Sequence, residues 1–148
     1  REAHFGLRGS NRADIKIRWP NGAEQEMGEF SANQSLHFVQ NLILGDPSPG
    51  QTGMVNDLVI TGGDPGSEIV LTMGINAGVK AIPECPGVSL DIKRARRMDL
   101  ELADSIGVAT LSANVAPILA GRTVLFQAYE RGSCRTSNLV AFTFPAAP

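Results

Sequence analysis

The chain is poor in the side chains that most often carry catalysis. His4 and His37 are the only imidazoles in 148 residues. Neither neighbours a Gly-x-Ser-x-Gly turn, so a nucleophile activated by an adjacent base has no support. Walker-type and Gly-x-Gly-x-x-Gly phosphate loops are absent. No Cys-x-x-Cys occurs, and both histidines lie far from the cysteines in sequence, which argues against a structural zinc site. No apolar stretch approaches the length of a membrane span; Leu42-Ile43-Leu44 is typical of what is there. Thirteen basic residues face fifteen acidic ones, so no generally basic surface exists for nucleic acid. One Trp, one Tyr and six Phe leave few stacking platforms for a sugar. Together these absences point away from an enzyme.

Sixteen glycines and nine prolines punctuate short apolar runs instead of clustering. That pattern predicts many short strands joined by turns. Asp14 to Trp19 alternates cleanly, with Ile15, Ile17 and Trp19 on one face and Asp14, Lys16 and Arg18 on the other. Pro20-Asn21-Gly22 follows as a hairpin turn, then a return strand around Glu24 to Met27. A further strand is expected from Leu36 to Leu44. The stretch Gly45 to Gly53 is rich in Pro and Gly and reads as a linker. Beyond it, strands are expected at 57–61, 68–73, 88–92, 98–103, 108–115, 123–129 and 139–144. Val88, Leu90 and Ile92 are expected inward, as are Met98, Leu100 and Leu102, with Asp99 and Glu101 outward. Pro117 to Ala120 reads as one short turn. The fold class is therefore all-β: an immunoglobulin-like sandwich at 54–148 preceded by a short antiparallel β segment at 1–44, with 45–53 between them.

Cys85 and Cys134 both lie in turn-like sequence, Pro83-Glu84-Cys85-Pro86-Gly87 and Gly132-Ser133-Cys134-Arg135. Such positions suit a staple better than two free buried thiols, and a disulfide implies an oxidising, extracytoplasmic setting. No Trp follows Trp19, so the bridge reads as a loop-to-loop clamp and not as the core bridge of antibody domains.

His4-Phe5-Gly6-Leu7, the Ile15/Ile17 strand, Trp19-Pro20-Asn21-Gly22, Gln25 and Asn33-Gln34 with Leu36 together resemble the C-terminal half of the ASPIC/UnbV domain. That family occurs at the ends of large secreted bacterial proteins, typically after integrin-like propeller repeats. The resemblance implies secretion and no catalytic role. The family's preceding half has no counterpart here, so residues 1–44 read as an incomplete half-domain that must borrow a partner. With Arg1 at the front, the chain reads as a processed product or a piece of something longer. Residues 50–144 look similar to C-terminal β-sandwich modules of secreted bacterial proteins. That likeness rests on Ile82 to Gly87, Gly121 to Ala128 and Ser133 to Asn138.

Two functions follow as expectations. The first is an extracellular structural protein that self-associates by strand addition or head-to-tail packing, as in a filament. Its buried face would be Ile15, Ile17, Trp19, Leu36 and Phe38, and its partners other copies of the chain. The second is an adhesin or carbohydrate-binding module using Trp19 or Tyr129 on a cell-surface glycan. No cofactor is expected. Asp46, Asp57, Asp64 and Asp104 lie in or beside turns and are the candidates for calcium. The carboxylate pairs Asp99/Glu101 and Glu24/Glu26 read as solvated strand faces. Lys93-Arg94-Ala95-Arg96-Arg97 reads as a solvated connection between strands.

Overall fold

The computed structural model describes residues 9–19, 22, 24–36 and 38–146. The chain divides into two units, Arg1–Gln40 and Asn41–Pro148. His4-Phe5-Gly6-Leu7, Pro20, Asn21 and His37 lie outside the described residues.

In the first unit, β1 (Arg12–Arg18) pairs antiparallel with β2 (Glu24–Ser31). The alternation in sequence becomes an alternation in burial along both strands. The register slips between Ile15 and Lys16, where Met27 is the extra residue on β2. Charged side chains line the other face, where Arg12 meets Glu29 at 2.8 Å and Lys16 meets Glu24 at 2.6 Å.

The second unit holds β3 (Ile43–Leu44), β4 (Val55–Thr61), β5 (Glu68–Gly74), β6 (Asn76–Ala81), β7 (Ser89–Lys93), β8 (Arg96–Leu102), β9 (Val108–Asn114), β10 (Thr123–Glu130) and β11 (Val140–Thr143). A 3-10 turn at Pro117–Leu119 is the short turn expected there. A three-stranded sheet, β3-β4-β9, faces a four-stranded sheet, β11-β10-β5-β8, and every pairing is antiparallel. Leu58, Ile60, Ile69, Leu71, Leu111, Val124, Phe126 and Phe144 fill the core between the sheets.

A third layer was not expected. The β6–β7 hairpin covers the opposite face of β5 and β10 and encloses a second core of Val70, Ile82, Cys85, Leu90, Ile92, Ala95, Leu125 and Tyr129. This explains why β5 and β10 are buried on both faces and read as near-continuous apolar runs, Ile69-Val70-Leu71 and Val124-Leu125-Phe126. β7 therefore belongs to this hairpin, while β3 completes the three-stranded sheet.

Three expectations are corrected. Residues 45–53 are not a free linker. Leu42 and Leu44 are already part of the main core. The Gly45 N–H donates to the Val59 carbonyl, Ser48 pairs with Asp57, and the N–H groups of Gly50 and Gln51 donate to Oδ1 of buried Asn56. The segment lacks apolar anchors, but its backbone polar groups are satisfied by β4 instead. The strand expected from Leu36 to Leu44 is reduced to Ile43–Leu44, and the unit boundary falls inside it. In β8, a bulge opposite Leu71/Thr72 breaks the alternation. Met98 packs on the main core, Leu100 on the second, and Leu102 is 61% exposed.

Each flank of the sandwich is tied across by one side chain. On one side, Asp99 Oδ2 on β8 accepts the Ser112 N–H of β9 at 2.7 Å. On the other, Asn138 reaches Leu44 of β3. Asp99 is therefore half-buried and structural, not part of a solvated pair with Glu101.

Candidate association face and the stapled end of the sandwich

The expected association face comes together only in part. Ile15, Ile17 and Trp19 share the inner side of β1, opposed on β2 by Gln25, Met27 and Phe30. The Trp19 indole N–H donates to Gln25 Oε1 at 3.1 Å, which orients the ring along the hairpin. Phe38 reaches Phe30 edge-on, with ring centroids 5.5 Å apart, so a residue after the hairpin joins its apolar side. Leu36 is half-buried. Sequence reasoning missed Met27 and Phe30, because the bulge at Met27 shifts which β2 residues share a side. No described residue of this unit is fully buried, whereas the sandwich has two closed cores. The hairpin therefore presents an amphipathic surface with charged residues on one side and half-covered apolar residues on the other. Lys16 has its pKa raised by its hydrogen bond with Glu24.

At the other candidate region, Cys85 and Cys134 form the expected disulfide, with Cα atoms 5.5 Å apart. Cys85 lies in the β6–β7 connection and Cys134 in the loop after β10. The staple thus pins the third-layer hairpin to the end of a central strand. Cys85 is also a fully buried member of the second core, so this loop cysteine does fill space.

An ionic network surrounds the staple. Glu130, fully buried, accepts hydrogen bonds from Arg135, Ser67, Ser133 and the Asp64 N–H. Burial pushes its carboxyl pKa up, but the hydrogen bonds from Ser133, Ser67, Asp64 and Arg135 outweigh burial and hold it below the carboxylate norm. Arg131 bridges Glu68 at 2.8 Å and Glu84 at 3.2 Å. Glu84 is held low by Arg131 and then by the Tyr129 hydroxyl, and Arg131 is driven up by the same two carboxylates. Tyr129 is pushed up to about 12, first by burial and then by its hydrogen bond to Glu84. The network links β5, β10 and the two stapled loops through several shared carboxylates, which suits a rigid joint. Tyr129 is buried in the second core, so it offers no platform for a sugar. The one sequence signal for this network is a Glu closing an otherwise apolar strand, with Arg131 and Arg135 next to it.

The four aspartates put forward for calcium do not converge. Asp57 accepts from the Ser112 hydroxyl, Asp64 pairs with Arg135, and Asp104 accepts the N–H groups of Ile106 and Val108 within its own turn. Asp46 is exposed on a separate segment. Among the described residues, no group of three or more His, Cys, Asp or Glu side chains is placed to hold a metal ion. Among the described residues, no helix is long and apolar enough to cross a membrane.

The chain is thus an all-β protein in which a stapled three-layer sandwich follows an amphipathic hairpin unit. Residues 1–42 match the family model described as ASPIC and UnbV, and the match ends within two residues of the boundary between the units. No curated protein matches the chain. The match agrees with the resemblance read from the Ile15/Ile17 strand and the Trp19-Pro20-Asn21-Gly22 turn. A disulfide together with an ASPIC/UnbV segment is consistent with a place outside the cytoplasm.

Proposed function

We propose that this is a secreted structural protein which associates with other copies of itself through the hairpin unit to build an extracellular assembly such as a filament. The observation that carries this reading is the half-covered apolar side of β1–β2. Two strands alone rarely hold a stable fold in water, and Ile15, Ile17, Trp19, Met27 and Phe30 gain most by meeting a second apolar surface. Among the described residues, β1 and β2 pair only with each other, which leaves an edge of each for strand addition. The sandwich is a poorer acceptor, since Asp99 and Asn138 tie its two flanks across.

The test is sedimentation of the full chain over a concentration series. Wild type is expected to form oligomers at micromolar concentrations, and Ile17→Lys to remain a monomer. The melting of the disulfide-stapled sandwich should be the same in both. A wild-type chain that stays monomeric throughout the series overturns the reading.

A further inference from the structure

The connection between β7 and β8 carries Lys93, Arg94, Arg96 and Arg97 within five residues, and all four are exposed. They account for four of the eight basic residues after position 41. None of these side chains makes a hydrogen bond or an ion pair with a described residue. Arg97 acts on Glu84 electrostatically, but that carboxylate is already taken by Arg131.

The segment is not a loose solvated tether. Ala95 at its centre is buried, and its N–H donates to the Ile92 carbonyl. Its own carbonyl accepts the Lys80 ammonium, which adds a fifth positive charge beneath the turn. The turn is seated directly on Gly74: a Cβ there would stand 2.4 Å from Ile92 Cγ2 and 3.9 Å from the Ala95 Cα. Arg94 occupies the left-handed region, with φ of 56°. Gly or Asn would hold that position at lower cost, so an arginine here points to use of its guanidinium.

From this rigid cationic step we infer a binding site for an anionic polysaccharide, one carrying repeated carboxylate or sulfate groups. An anchored backbone keeps these unpaired cations close together, so their side chains can each reach a separate anionic group along such a polymer. The cross-strand neighbours Asn76, Met73 and Thr72 include no aromatic side chain. That lack removes the stacking that neutral sugars and single-stranded nucleic acids rely on, and duplex DNA is set against the glycans in the test below. The step is independent of the hairpin unit and of self-association.

Titration calorimetry of the full chain with heparin, alginate and neutral dextran tests this. Binding is expected to heparin or alginate and not to dextran, with affinity falling about tenfold or more between ~50 and ~200 mM salt. A variant combining Lys93→Gln, Arg94→Gly, Arg96→Gln and Arg97→Gln should lose at least about tenfold in affinity, while Arg122→Gln retains it. Should the fourfold variant fail to fold, Arg94→Gly alone suits the backbone and should still weaken binding several-fold. Heparin and alginate distinguish sulfate from carboxylate preference, and either supports the site. Unchanged affinity in the variants, equal binding to dextran, no binding to either anionic polymer, or duplex DNA bound as tightly as the glycans would overturn it.

Discussion

Asn138 and Leu44 exchange two hydrogen bonds across one flank of the sandwich: the Leu44 N–H donates to Asn138 Oδ1 at 2.8 Å, and Asn138 Nδ2 donates to the Leu44 carbonyl at 3.1 Å. The side-chain amide reproduces a backbone pairing where the two sheets come together. Leu44 is buried while Asn138 is exposed, so water admitted on removing the amide would replace the two bonds only in part. Asn138→Ala should therefore lower stability by about 2 kcal/mol. Asn138→Asp should not restore it, because a carboxylate can accept from the N–H but cannot donate to the carbonyl. Urea unfolding of the three proteins, compared at one pH near neutrality, checks both statements.

The disulfide closes a loop between residues 49 apart in sequence. In the chain-entropy picture that constraint contributes about 4 kcal/mol. Its location adds a regional effect, because Cys85 belongs to the hairpin that covers the second core. Reduction should lower the melting temperature and raise amide exchange most in Asn76–Lys93. The main core between the two sheets should be perturbed less. Exchange measured with and without reductant separates these regions, and uniform loss of protection would contradict the layered account.

How much of this was legible beforehand can be traced residue by residue. The strand content, the staple and the amphipathic face of β1 could be read from alternation and turn chemistry. The third layer could not, because Asn76–Ala81 reads Asn-Ala-Gly-Val-Lys-Ala and its residues are mostly exposed. Nothing in its own pattern marks it as a strand; the signal lies in the double burial of β5 and β10. The anchoring of residues 45–53 was hidden for a different reason. Its partner is a polar side chain, Asn56, fully buried on β4 because it satisfies the loop's N–H groups. The split of Met98 and Leu100 between two cores traces to a bulge at Met98, which period-two reading cannot register, whereas Leu102 pairs in register with Glu68 at the end of β8. On the association side, Phe30 and Phe38 meet across an irregular segment that carries no period.

Glu130 contributes to the acid limb of stability. Its folded pKa lies below the usual 4.5, so its contribution is present in full above that value and is lost as the pH falls through the lower folded value. Tyr129 works at the other end. Its folded pKa of about 12 exceeds the ordinary 10.0, so its contribution holds below pH 10 and disappears as the pH climbs towards the folded value. Glu130→Gln should cost about 3 kcal/mol at neutral pH, since Arg135 loses its buried carboxylate partner. The same variant should flatten the fall in stability on acidification. Urea midpoints between pH 7 and pH 3 read this directly, and parallel curves for wild type and variant would rule it out.

Gly107 and Gly66 offer a test of how the β8–β9 turn is fitted to the β4–β5 loop. Both have positive φ, 79° and 78°. A methyl group at Gly66 would meet nothing within 4 Å, whereas at Gly107 it would stand 2.2 Å from the Gly63 carbonyl oxygen. The Gly63 N–H also donates to the Gly107 carbonyl at 3.0 Å, so the two backbones are already bound together at this point. Gly66→Ala therefore carries only the conformational penalty, about 1 kcal/mol. Gly107→Ala adds an overlap with backbone that no rotamer change can relieve, and should cost roughly 2 kcal/mol more. Equal destabilisation of the two variants in urea would mean that the loops part freely. Unequal destabilisation, with Gly107→Ala the worse, would show that this contact is part of what holds the end of the sandwich closed.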